Sequence, residues 1–134
     1  MRKFGRRSRQ VLDELDPRLQ RIMVRVLDEV ADISLICGFR NQADQNAAYL
    51  DGASSVVWPN SKHNKFPALA VDFQPFPLPH EDVVLWAGLA YIAGSAIRIA
   101  KEEGVTLRWG GDWNRNGSVS DERFHDLFHL EIVD

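Results

Sequence analysis

Two distant segments limit what this chain can fold into: Ser61-Lys-His-Asn-Lys-Phe-Pro-Ala-Leu-Ala-Val-Asp72 and Asp126-Leu-Phe-His-Leu-Glu131. The first offers His63 and Asp72, nine positions apart, and the second offers His129 with Asp126 three places before it. Residues 68–73 read as a strand that delivers Asp72 near its end, and residues 128–133 read as another. On the latter, His129 and Glu131 are two apart and share one face. If these strands are sheet neighbours, two imidazoles and a carboxylate meet. That donor set binds one zinc ion and leaves its fourth position to water. Asp126 would then be placed as a base for that water. Taken singly, each of the four histidines reads more readily as a structural or solvated side chain than as a ligand; the combination carries the zinc reading.

A chain of 134 residues, 45% hydrophobic and 26% charged, suffices for one domain, residues 1–134, with a real core. The net charge of −3 and a pI near 5.8 give no general reason to bind nucleic acid or an anionic membrane. The one basic run, Arg2, Lys3, Arg6, Arg7 and Arg9, reads as a solvated helix start, with a nucleic-acid or lipid arm as the alternative. Cys37 is the only cysteine, which excludes an internal disulfide and a cysteine-based zinc cluster. It lies in an apolar run and reads as a buried, inert thiol. The N-terminus lacks the apolar core of a signal peptide. The apolar stretch 83–100 is interrupted by Gly88, Gly94, Ser95 and Arg98 and reads as too short for a membrane span. The expectation is a monomer kept in the cytoplasm, reaching a substrate outside only if a separate protein releases it.

Ser8 is expected to cap a short helix carrying Val11, Leu12 and Leu15. Asp16-Pro17 restarts the chain as a helix with Leu19, Ile22, Met23, Val26, Leu27 and Val30 on one face. Residues 33–37 read as a buried strand that ends at Gly38-Phe39-Arg40. Asn41 caps a helix that Gly52 stops. A long helix is expected over 81–103, well buried through Val84, Leu85, Ala87, Gly88, Tyr91, Ile92, Ser95 and Ile99, followed by a strand at 105–109. Helices and strands do not alternate strictly, which favours an α+β fold with a small antiparallel sheet packed against helices. Arg40 sits at a strand-to-helix junction, where its guanidinium offers a positive fork for an oxyanion or carboxylate; an ordinary surface arginine is the alternative. Ser61 reads as a hydrogen-bonding partner for substrate or as a turn former. Glu131 reads as a group that orients an imidazole or as a surface carboxylate.

A second constellation runs from Asp112 to Glu122. Asp112, Asn114 and Asn116 put oxygens at positions 1, 3 and 5 of a calcium-type loop, Gly117 stands at 6, and Ser118 and Ser120 follow. Position 12 is Arg123, where a bidentate glutamate belongs, so Asp121 or Glu122 would have to substitute. A metal-free Asn/Gly-rich turn is the simpler reading, with calcium the alternative.

Together, Gly38-Phe-Arg40, Ser61-Lys-His-Asn…Ala70-Val-Asp72, Leu107-Arg-Trp-Gly-Gly-Asp-Trp113 and Phe124-His-Asp-Leu-Phe-His-Leu-Glu131 resemble the zinc D-alanyl-D-alanine carboxypeptidases and dipeptidases. The chain is most similar to their phage L-alanyl-D-glutamate endopeptidase branch. The resemblance spans nearly the whole chain. It implies a hedgehog-like α+β fold, zinc held by His63, Asp72 and His129, Asp126 as catalytic base, Arg40 as stabiliser of the transition state or substrate, and the peptidoglycan stem peptide as substrate. The chain departs from many members at Phe128, where they carry Pro, and at Leu130, where they carry Phe. Asp126, where some members have Glu, matches the endopeptidase branch. A D-alanyl-D-alanine carboxypeptidase and a non-catalytic zinc module of the same fold are the alternatives.

Overall fold

The computed structural model describes residues 1–134. The elements follow as α1 (Arg6–Asp13), α2 (Pro17–Glu29), β1 (Ile33–Cys37), α3 (Gln42–Leu50), one 3-10 turn (Lys62–Asn64), β2 (Ala70–Pro75), α4 (Asp82–Glu102), β3 (Leu107–Gly110) and β4 (Asp126–Ile132). The strands make one antiparallel sheet in the order β1-β2-β4-β3. The expected α+β architecture is what forms. Helix α4 packs against β2, β3, β4 and α2, while α1 packs against β1. One apolar cluster fills the space between these layers, with Phe73, Leu19, Ile22, Met23, Leu89, Ile99 and Leu130 fully buried.

Local chemistry sets the element starts. Asp16 accepts the Arg18 backbone N–H at 2.9 Å just ahead of Pro17, and Asn41 accepts the Asp44 N–H at 2.9 Å. Ser8 does otherwise than expected. Gly5 is the N-cap of α1, and Ser8 lies buried inside the helix, its Oγ accepting the Leu35 N–H at 3.0 Å. The reason is that β1 is an edge strand, and Ser8 satisfies a backbone donor that no neighbouring strand reaches.

Helix α4 differs from expectation in its buried face. Leu89, Ile92, Ala93, Ala96, Ile99 and Ala100 are buried, whereas Val83, Val84, Trp86 and Tyr91 are exposed. Only one stripe of this helix is buried, and in its first two turns only Leu85 and Gly88 are partly covered ahead of Leu89. At 21 residues it is long and apolar enough to cross a membrane by length and composition, contrary to the reading that the stretch is too short. Its buried stripe belongs to the core. Strand β4 also begins two residues earlier than expected, which brings Asp126 into the sheet.

Candidate active site

Sheet register assembles the site. Asp72 on β2 and His129 on β4 are direct cross-strand partners, so both side chains leave the same face. Cys37 faces Asp72 from β1 in the same row. His63 comes from the 3-10 turn. Ser61 accepts the His63 N–H at 3.1 Å, and the Asn64 side-chain oxygen accepts the Ser61 N–H at 3.1 Å, a reciprocal cap. Ser61 is buried and shapes this turn. The Arg40 N–H donates to the His63 carbonyl at 2.8 Å and ties the turn to the exit of β1.

The three donor atoms converge. His63 Nε2 lies 3.2 Å from His129 Nδ1 and 3.2 Å from Asp72 Oδ1, and His129 Nδ1 lies 3.4 Å from Asp72 Oδ1. Donors bound to zinc at about 2.0–2.1 Å stand about 3.3–3.4 Å apart along a tetrahedral edge. The triangle therefore fits a small ion, and two imidazole nitrogens exclude a hard calcium-type ligand set. His63, Asp72 and His129 form a group able to hold a metal ion.

Each imidazole is oriented from behind. His63 Nδ1 lies 2.7 Å from the Gly38 carbonyl oxygen, which can only accept, so in the neutral ring Nδ1 carries the proton and Nε2 is free. His129 Nε2 lies 2.8 Å from Glu131 Oε1, and Glu131 Oε2 accepts from Arg108 Nη2 at 2.8 Å. Burial raises the Glu131 pKa, but the His129 and Arg108 hydrogen bonds outweigh it and bring the group down to about 2. Glu131 is thus ionised and accepts from Nε2, leaving Nδ1 facing the site.

The site is strongly polarised. Burial works against charge on His63, yet the Asp72 carboxylate prevails and raises its pKa to about 10. His129 is also raised, because hydrogen bonds to Asp72 and Glu131 overcome its burial. Asp72 is held well below the usual carboxylate range: burial opposes this, and the two histidines override it. Asp126 Oδ2 stands 3.9 Å from His129 Nδ1, beside the triangle. Burial raises the Asp126 pKa, and the Asp72 charge adds to that while His129, His63 and Arg40 oppose it. A carboxyl so placed holds a proton more readily than an exposed aspartate.

Arg40 reaches the same cluster, with Nη2 3.5 Å from Asp72 Oδ2 and Nη1 donating to Gln45 Oε1 at 2.9 Å. Gln45 is the residue that no spacing rule marks. It is fully buried on α3 and uses every hydrogen-bonding position of its amide. Oε1 accepts from Arg40 and from Asn64 Nδ2 at 3.1 Å, while Nε2 donates to Ser54 Oγ at 3.0 Å and the Val56 carbonyl at 2.8 Å. One side chain thus fixes the arginine, the histidine turn and the loop beyond α3. Arg108 is legible only through register, since it stands opposite Glu131 across β3 and β4. Trp113, likewise missed, donates to the Phe124 carbonyl at 2.9 Å, stacks on that ring, and lies 5.5 Å from the His129 ring. The resulting cleft, about 390 Å³, has Arg40, Lys62 and Arg108 as cations and Trp113 and Phe124 as an aromatic wall.

The calcium-type loop is exposed. Asp112 accepts the Asn116 and Gly117 N–H groups at 3.1 and 2.7 Å, and the Asn114 and Asn116 amides both turn to Asp121. Ser118 Oγ pairs with Ser120 Oγ at 2.9 Å and not with this cluster.

A sheet and a neighbouring turn that present two histidines and an aspartate in a cationic cleft, with a half-buried carboxyl alongside, define a hydrolase with a metal-competent centre. Comparison with known proteins narrows the class. The chain belongs to the phage L-alanyl-D-glutamate peptidase family, matched over residues 1–133, and is a peptidase. It is 30% identical over 139 aligned positions to the L-alanyl-D-glutamate peptidase of Escherichia phage T5, covering 98% of each chain. Its fold resembles the L-Ala D-Glu endopeptidase ChiX of Serratia marcescens, with a TM-score of 0.74 and 26% identity over 98% of this chain and 90% of that one.

Proposed function

We propose that this peptidase hydrolyses the L-alanyl–D-glutamate amide of the peptidoglycan stem peptide at a zinc centre held by His63, Asp72 and His129. The observation that carries the reading is the donor triangle at tetrahedral-edge spacing with Asp126 beside it. A bound zinc would supply Lewis acidity toward a water and the scissile carbonyl. Asp126 takes the proton from the attacking water and later gives one to the departing amine, a shuttle its raised pKa favours. Arg40, held by Gln45, offers its remaining donors to the oxyanion that forms at the carbonyl carbon. Lys62 has no ion-pair partner and lines the same cleft, so it is free to meet a carboxylate of the leaving half. The protein would act on the wall after release from the cytoplasm by another protein.

The test is incubation with purified stem peptide and mass analysis of the products. Fragments ending in L-alanine and starting at D-glutamate are expected. Release of terminal D-alanine alone would assign the carboxypeptidase reading instead. Asp126→Ala should lose about 10²–10⁴-fold in rate while retaining one zinc. Retained activity in that variant removes Asp126 from the base role, and absence of zinc from the active protein removes the metal reading.

The Asp112–Asp121 loop is proposed as a calcium site of secondary importance, with Asp121 taking over from the missing glutamate at position 12. What supports it is that Asp112, Asn114, Asn116 and Asp121 lie in one exposed turn, where the two asparagine amides now donate to Asp121 and would have to turn their oxygens inward.

A further inference from the structure

The exposed start of α4 does not end in open surface. Trp86, about half exposed, and Ala90 form one wall of a groove whose other wall is the segment leading into β4. The groove encloses about 720 Å³, and eight of its eleven lining residues are hydrophobic, Val119, Phe124, Leu127 and Phe128 among them. Its polar members include His125 and Asp126. A concave, largely apolar volume of this size with a few polar groups at its rim has the character of a small-molecule subsite. The groove also shares Phe124 and Asp126 with the metal cleft, so the two depressions meet at the proposed base.

Substrate chemistry decides what would lie there, given the hydrolysis proposed above. On the leaving side of the L-alanyl–D-glutamate bond the stem peptide carries free carboxylates, and these suit the cleft with Arg40, Lys62 and Arg108. On the acyl side stand only L-alanine and, through a lactyl ether, the pyranose ring of N-acetylmuramic acid. Alanine plus the lactyl unit spans roughly two residue lengths, about 7 Å. The sugar must therefore rest close beside the scissile bond, on the side the cations do not occupy. A pyranose has an apolar face of C–H groups that stacks on the electron-rich face of an indole or phenyl ring, while its hydroxyl and acetamido groups need polar partners at the edge. Trp86 and Phe128 supply the rings, and His125, whose Nε2 donates to the Val119 carbonyl at 2.7 Å, leaves Nδ1 as an acceptor at the rim.

We infer that the groove between α4 and the entry to β4 is a subsite for the muramyl sugar that bears the stem peptide, with Trp86 as its stacking platform. The enzyme then reads the sugar–peptide junction and does not treat the stem as a free peptide. This inference rests on the proposed scissile bond.

The experiment compares two substrates with the zinc-loaded protein: the muramyl-linked stem peptide, and the same peptide with a plain acetyl group in place of the sugar. The muramyl form should show kcat/KM about tenfold higher. Trp86→Ala should bring the muramyl value down to that of the acetyl form, and Trp86→Phe should keep most of the preference. Tyr91→Ala, an exposed aromatic on the same helix that lines neither depression, should keep the preference in full. Equal rates on the two substrates in the parent protein, or an equal fall on both in Trp86→Ala, overturns the subsite. Binding is read separately by NMR with the peptide-free GlcNAc–MurNAc disaccharide. Shifts confined to Trp86, Ala90 and Phe128 support the subsite, and their absence at millimolar sugar overturns it. Failure to cleave either peptide sinks the proposed scissile bond, while the disaccharide result still decides the groove.

Discussion

His129 donates through Nε2 to Glu131 Oε1 at 2.8 Å, and this bond between residues two apart on β4 decides which ring nitrogen faces His63 and Asp72. Glu131 is itself held by Arg108 from β3, so the imidazole is locked across a strand pair. Glu131→Gln keeps the shape and an acceptor oxygen but removes the charge that favours the required tautomer. Zinc affinity should fall about 10–100-fold with the fold retained. Competition against a chromophoric chelator, with circular dichroism as the fold check, measures it. Unchanged affinity would show that Glu131 does not tune the site.

Zinc binding should be steeply pH-dependent. Against its burial, the Asp72 carboxylate raises the His63 pKa to about 10, from an ordinary value near 6.5. At neutral pH the ring is therefore protonated, and a metal must displace that proton to use Nε2. Raising the pH removes the competing proton. Affinity should then climb at least about tenfold per pH unit from pH 6 upward, more steeply while His129, whose pKa is also raised, competes for a proton too, and level off only near the raised His63 pKa. Calorimetry in buffers of different ionisation enthalpy should report release of at least about one proton per zinc at pH 7. A pH-independent affinity would mean that His63 is neutral before the metal arrives.

Much of this site is legible in sequence, and the reasons are physical. His63, Asp72, Asp126 and His129 stand out because metal and proton chemistry restrict residue type, and strand alternation places His129 and Glu131 on one face. The pairing of Asp72 with His129 is a matter of register, which no local pattern fixes across intervening residues. Gln45 is invisible for a related reason. Its role comes from four partners drawn from three separate segments, and glutamine on a helix otherwise reads as solvated surface. Helix α4 departs from its sequence pattern because its apolar residues exceed what one buried stripe needs, so periodicity alone does not say which face is buried.

Calcium should tighten the Asp112–Asp121 loop if that loop binds it. The Asn114 and Asn116 amides now present nitrogens to Asp121, and a cation between them would require both to turn their oxygens inward. With zinc already loaded, calcium is expected to raise the melting temperature, and Asp112→Ala should abolish the increase. Asp112 is the residue to change because its carboxylate already draws in the Asn116 and Gly117 N–H groups. Identical melting curves with calcium and with a calcium-selective chelator would retire the site.

Two glycines should respond to alanine in opposite directions. Gly110 on β3 stands opposite Asp126, and a Cβ there would overlap the Asp126 carbonyl oxygen and come within 2.9 Å of the Asp126 Cβ. These are backbone and near-backbone atoms that cannot swing aside, so the β3–β4 pair would have to part at the point that sets Asp126. Gly110→Ala should cost about 2–4 kcal/mol and lower activity beyond the loss of folded protein. Gly94 lies within α4, and a Cβ there would meet nothing within 4 Å. Gly94→Ala removes chain entropy from the unfolded state and should stabilise by about 0.5–1 kcal/mol at unchanged activity. Urea unfolding of both variants, with activity measured per folded molecule, separates the two effects. A harmless Gly110→Ala would mean that the strand pair does not depend on close approach at Asp126.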